Sequence, residues 1–212
     1  MRLEFDQIIE QLAYKLQQPL PGAAAHEPLR ATSTGLIKPK FEHKLPPKPG
    51  SVLILLYPDM GSIKIPLTKR PDYLGAHGGQ VSLPGGKSEE NEDAIQTALR
   101  EGEEEIGVKS AELHVVGRLS DFFVIPSNYI VTPVIAYSTA KPHFVPQPSE
   151  VERILHADLF DLLKIDAIQT KEIVAAKMYP MLAPHFLIEG EVVWGATAMM
   201  LNELRTVLNA LD

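Results

Sequence analysis

The chain has 212 residues, 45% hydrophobic and 22% charged, enough apolar material for one well-buried core and a composition ordinary for a globular domain. It contains no cysteine, which excludes disulfide bridges, thiolate metal sites and cysteine nucleophiles. The formal net charge of −7 argues against attraction to nucleic acid or to an anionic membrane, and neither is expected as a partner.

The first residues alternate charged and apolar side chains, unlike a signal peptide, and no apolar run reaches membrane-spanning length. The final residues match no retention or peroxisomal address, so a cytoplasmic location is expected. From Leu3 to Leu16 the apolar positions stripe one side of a helix, to be buried against the main domain or a second subunit. The second option makes a homodimer, and the stripe also suits recruitment of a different partner. Pro19, Pro21 and Gly22 end that helix, and Pro28 to Gly50 has linker composition. Residues 1–50 therefore read as a helix and Pro-rich linker, and 51–212 as the compact domain.

Ser51–Tyr57 and Ser62–Thr68, separated by Pro58, Asp59, Met60 and Gly61, predict a β-hairpin. Glu112–Leu119 and Tyr129–Tyr137 predict strands, and Val151–His156 a shorter one. Ala157–Ile165 has a helical pattern, Val192–Trp194 suits a strand, and Ala196–Leu211 is an amphipathic helix. Such interleaving predicts an α/β fold with a mixed rather than purely parallel sheet.

The chemistry concentrates between Gly86 and Val108. At roughly 100° per residue, Glu101, Glu104 and Glu105 fall within about a quarter of a helix circumference. Carboxylates so crowded repel one another, and hard oxygen donors in a cluster suit Mg²⁺ or Mn²⁺. Ile95, Leu99 and Ile106 share another side, with Gly102 at its edge, and predict the packing face. Arg100 sits one turn before Glu104, where it can hold that carboxylate. Gly107 is a natural left-handed helix stop. An acidic run such as Glu103–Glu105 is by itself usually a solvated face. Here it follows Leu83-Pro84-Gly85-Gly86, a loop whose backbone can approach a ligand closely.

This segment resembles the Nudix box, G-x5-E-x7-R-E-U-x-E-E-x-G-U, with Gly86, Glu92, Arg100, Glu101, Glu104, Glu105, Gly107 and Val108 in register. Gly102 departs from the pattern, which has an aliphatic residue there. The smaller residue implies closer helix packing, at up to roughly 1 kcal/mol of helix propensity. The resemblance implies a Nudix-type α/β/α sandwich and a pyrophosphohydrolase. Its divalent cations would be held by Glu101, Glu104, Glu105 and the Gly85 carbonyl, and Arg100 and Glu104–Glu105 would belong to the catalytic machinery. Bound cations also resolve how an acidic protein takes an anionic, nucleotide-type substrate.

Leu67-Thr68-Lys69-Arg70 through Gly78-Gly79-Gln80-Val81-Ser82-Leu83-Pro84-Gly85-Gly86 is similar to the signature of the coenzyme A pyrophosphatase subfamily. Pro66, Pro71, Gly75 and Leu83 depart from it. Ile125–Pro133 and Pro184–Phe186 through Trp194–Ala198 resemble the same subfamily. This implies substrate contacts by Arg70, His77, Gln80 and Ser127, and cleavage of coenzyme A or its derivatives to 3′,5′-ADP and a 4′-phosphopantetheine species. Gly75 stands where the subfamily has an arginine, which removes a cation that would meet the 3′-phosphate. Glu150 is a candidate general base or further metal ligand, with Glu152 as the alternative. Trp194 reads as a core or interface anchor rather than a base-stacking platform. The competing readings are a Nudix hydrolase of ADP-ribose, NADH, a dinucleotide or a nucleoside triphosphate, and a non-catalytic nucleotide sensor on the same fold.

Overall fold

The computed structural model describes residues 4–36, 38, 40–72 and 78–209. In chain order the helices are α1 (Phe5–Lys15), α2 (Ala23–His26), α3 (Ala94–Ile106), α4 (Leu159–Leu163) and α5 (Gly195–Asn209). The strands are β1 (Thr32–Ser33), β2 (Lys48–Asp59), β3 (Ser62–Lys69), β4 (Val81–Ser82), β5 (Gly85–Lys87), β6 (His114–Arg118), β7 (Phe122–Val124), β8 (Tyr129–Tyr137), β9 (Arg153–Asp158), β10 (Ile168–Ala175), β11 (Tyr179–Ile188) and β12 (Glu191–Trp194).

Among the described residues β2 to β9 form one sheet and β1, β10, β11 and β12 a second. The larger sheet is mixed: β2 runs parallel to β8 and antiparallel to β3 and β5. Strand β2 is buried on both faces, so its centre is a continuous apolar run, Val52 to Tyr57. Leu53, Leu55 and Tyr57 pack with Ala98 and Ile106 of α3 on one side. Ile54 and Leu56 join α1 and α5 on the other. Helices on both faces of a mixed sheet make the α/β/α sandwich that the sequence predicts.

The first hairpin turns on Met60 and Gly61 alone, both with positive φ (48° and 75°), the type I′ geometry that suits the twist of paired strands. The stripe on α1 is consumed within the chain, with Ile8, Ile9 and Leu12 buried in the same cluster as Leu201 and Leu204 of α5. The stretch with linker composition is partly structured: Leu29 is core, Thr32–Ser33 pairs with β11, and β2 already begins at Lys48. Among the described residues there, proline and lysine mark exposed positions, not an unstructured tether. The β10–β11 hairpin is an addition to the elements read from sequence. Its first strand is largely exposed and polar, so neither alternation nor a glycine turn announces it.

Candidate active site

Helix α3 is set on the sheet by its own ends. Asp93 caps it by accepting from Gln96 N at 2.9 Å, and Asp93 N donates in return to Gln96 Oε1, closing a capping box. Gly107 ends it in the left-handed conformation at φ 73°. Gly102 lies against β2, where an added Cβ would stand 2.6 Å from Leu53 Cδ2, which explains the departure from an aliphatic residue. On the outer side Arg100 organises the acids. Its Nε and Nη2 fork onto Glu92 at 2.7 and 3.0 Å, while Nη1 donates to Glu101 at 2.8 Å and to Glu104 at 2.9 Å. The guanidinium, with Glu89 N–H and the Thr97 hydroxyl, holds the Glu92 carboxyl down to about 2.

The three carboxylates fan out rather than stack. Glu104 is exposed, Glu101 is largely buried against Gly86, and Glu105 is buried at 3% exposure. Gly86 makes room for Glu101: a Cβ there would lie 2.7 Å from its carboxyl carbon. Burial pushes the Glu105 carboxyl up to about 7; the Arg70 guanidinium pulls it down, Glu101 and Glu150 push it further up, and the Gly85 N–H bond lowers it. Glu101 is also raised, first by burial, with Arg100 opposing and Glu104 and Glu150 adding. Among the described residues no three acidic or imidazole side chains form a preformed metal cage. The donor set nevertheless fits a hard divalent cation. It consists of carboxylate oxygens, two of them on largely buried groups that repel one another, beside a glycine backbone packed so closely on Glu101 that a Cβ at Gly86 would clash with it.

Arg70 and Gln80 stand at the neck of the preceding loop, joined by Arg70 N donating to Gln80 O at 3.0 Å. Arg70 Nη2 lies 4.0 Å from Glu105 Oε1. His77 and Gly75 lie outside the described residues. Glu150 is exposed and acts electrostatically on both Glu101 and Glu105. Its alternative, Glu152, faces Lys69 at 3.9 Å and bonds that residue's carbonyl through its own N–H. Ser127 lies in the turn between β7 and β8, with β2 and β8 between it and β5; its hydroxyl donates to Val124 O at 3.5 Å. Trp194 is half-buried on β12, opposite His185.

Two features escaped the sequence reading. The loop bearing Glu150 is clamped to the end of α3: Val145 N donates to Ile106 O and Gln147 N to Glu105 O, both at 2.9 Å, satisfying carbonyls that a helix end leaves open. Thr68, at 1% exposure, places its hydroxyl 3.5 Å from Glu105 Oε2. A threonine among the apolar residues of β3 is the only sequence trace of the second.

The NUDIX domain family model matches residues 47–182. "Nudix hydrolase 15, mitochondrial" of Arabidopsis thaliana is 41% identical over 139 residues, 63% of this chain and 48% of that protein. "Nudix hydrolase 22, chloroplastic" of the same plant is 37% identical over 172 residues, 76% of this chain and 56% of that protein. The chain thus spans about half the length of these two relatives. A Nudix hydrolase from M. smegmatis, RenU, shares the fold at TM-score 0.55 and 18% identity, over 79% of this chain and 89% of that one. With the family model matching well over half of its length, the chain belongs to the NUDIX domain family.

Proposed function

We propose that the protein is a divalent-metal-dependent pyrophosphohydrolase of nucleoside diphosphate derivatives, with coenzyme A or its derivatives as substrate. The observation that carries the reading is the buried Glu105 carboxylate beside Glu101, with Glu104, Glu150 and the Gly85–Gly86 loop around it. Glu101, Glu104, Glu105 and the Gly85 carbonyl would hold Mg²⁺ or Mn²⁺. A divalent cation there supplies phosphate charge neutralisation and activation of water.

The chain's own groups do the rest. Arg100, anchored on Glu92 by a fork that a lysine cannot reproduce, keeps Glu101 and Glu104 in fixed directions through its Nη1. Arg70, with its side chain partly exposed at the loop neck, offers a cation to a phosphate oxygen, and the likeness to the subfamily's signature adds Gln80 and His77, the latter outside the described residues, to that contact. Glu150 is held near the metal face with no cation of its own among the ion pairs of the described residues, which suits proton abstraction from water better than Glu152, engaged with Lys69. The choice of coenzyme A is supported by the likeness of residues 67–86 to that subfamily's signature.

The test is mass-resolved product analysis of the purified chain with coenzyme A, ADP-ribose and NADH under Mg²⁺ and Mn²⁺. The expected products are 3′,5′-ADP and 4′-phosphopantetheine, with Glu104→Gln slowing turnover by about 10²-fold or more. A clear preference for ADP-ribose would reject coenzyme A while keeping the hydrolase. Equal, negligible turnover by wild type and E104Q on every substrate would reject the hydrolase.

A further inference from the structure

We propose that Thr68 and Ser82 are positioning residues, a two-hydroxyl relay that fixes the direction of the Glu105 carboxylate; this rests on the metal-dependent reading above. Strand β3 contributes Ile63, Ile65 and Leu67 to the core, and a valine would fill position 68 with the same shape. A hydroxyl buried there costs free energy unless it is bonded. Its oxygen lies 3.2 Å from Ser82 Oγ, 3.4 Å from Ser82 O and 3.5 Å from Glu105 Oε2. A threonine hydroxyl has one proton and two lone pairs. If that proton goes to Glu105, which as a carboxylate only accepts, the Ser82 hydroxyl donates to Thr68 and the dipoles align along the chain. An aligned series ending on an anion is stronger than its separate bonds.

The relay divides the two oxygens of Glu105. Oε2 is turned inward to Thr68, which leaves Oε1 on the side of Arg70. The Gly85 N–H adds a bond to the same carboxylate, and Gly85 follows Ser82 by three residues. One short segment thus carries both the relay's second hydroxyl and the loop beside the acids. That segment is itself pinned: Thr197, in the first turn of α5, donates to Val81 O at 3.2 Å from a buried position. Glu105 is therefore oriented from β3 on one side and from the β4–β5 segment on the other, before any ligand arrives.

The test is Mn²⁺ titration of the purified full chain, followed by the paramagnetic resonance of the free ion, with kcat and KM measured in parallel. Thr68→Val keeps the shape and removes the hydroxyl. It is expected to weaken Mn²⁺ binding about tenfold and to lower kcat with little change in KM, while Thr68→Ser restores both. Ser82→Ala is expected to give a smaller loss in the same direction. A packing role alone predicts that T68V matches wild type, and wild-type Mn²⁺ affinity and kcat in T68V would overturn the proposal. Should T68V not fold, S82A decides, and unchanged affinity there overturns it equally. A wild type that binds no Mn²⁺ and cleaves no pyrophosphate overturns the metal-dependent reading itself, a result separable because it appears before any variant is compared.

Discussion

Gly86 shows how one missing side chain can set a site. It pairs with Ser51 across β5 and β2, and its α-carbon faces the carboxylate of Glu101. An added methyl would stand 2.7 Å from that carboxyl carbon and 2.8 Å from Oε2, so the acid would have to turn away. Glu101 is a flexible side chain and the backbone at Gly86 is not strained, so the change spares the fold and moves the carboxylate proposed to hold the metal. Gly86→Ala is expected to lower turnover about 10- to 100-fold with the thermal midpoint nearly unchanged. Steady-state kinetics beside a melting curve check this, and wild-type turnover in G86A would remove Glu101 from the metal face. The residue scale is also where the sequence was most legible. The spacing of Arg100, Glu101, Glu104 and Glu105 survives in space because a helix of 13 residues carries it rigidly. A helical projection groups Glu105 with Glu101 and Glu104, whereas in space the loops from Gly85 and Gln147 close over Glu105 and bury it while Glu104 stays exposed. A helical projection contains nothing of what packs against the helix.

Among the elements, the β2–β3 hairpin is legible from its Met60-Gly61 turn, whereas the β11–β12 hairpin is legible only in its second strand, although its Glu189-Gly190 turn likewise has glycine at the second left-handed position. The β10–β11 hairpin closes with one residue more, since Ala175 pairs with Tyr179, and its loop opens on Ala176 at φ 49° and Lys177 at φ 57°, neither a residue that favours that region. Each non-glycine residue held there costs about 1 kcal/mol or more, and the strand pairing from Ile168 to Ala175 must outweigh it. The turn is thus invisible in sequence because it is formed against local preference. The double substitution Ala176→Asn, Lys177→Gly relieves both positions, and the added freedom of glycine in the unfolded chain offsets only part of the gain. It is expected to stabilise the hairpin by about 1 kcal/mol, read as several-fold slower amide exchange in β10 and β11. Faster exchange there would mean that the strain is relieved in some way that the φ angles do not convey.

At the scale of the molecule, one buried acid adds a polar clasp to the apolar packing that joins the N-terminal segment to the sandwich. Glu203 of α5, with no solvent exposure, accepts from His26 Nε2 at 2.9 Å, Gly22 N at 3.1 Å and Ser120 N at 3.3 Å. The neighbouring Asn202 donates to Ala25 O at 2.6 Å. These contacts join positions more than 80 residues apart, which no local pattern reveals, and this is why the segment before Ser51 looked like a tether in sequence. Burial pushes the Glu203 carboxyl up, but the bonds from His26 and Ser120 outweigh it and hold it below its ordinary value. A carboxyl depressed by folding contributes stability that is present above its unfolded pKa and is lost as pH falls through the folded one. Glu203→Gln keeps the shape and removes the charge. It is expected to cost about 1–3 kcal/mol near neutrality, because the His26 bond loses its ionic partner. As pH drops below about 4.3, the wild type loses this contribution and the variant has none to lose, so their stabilities converge. Urea denaturation across that range measures the difference, and a gap that stays constant from neutral to acid would show that Glu203 acts in the clasp by shape alone.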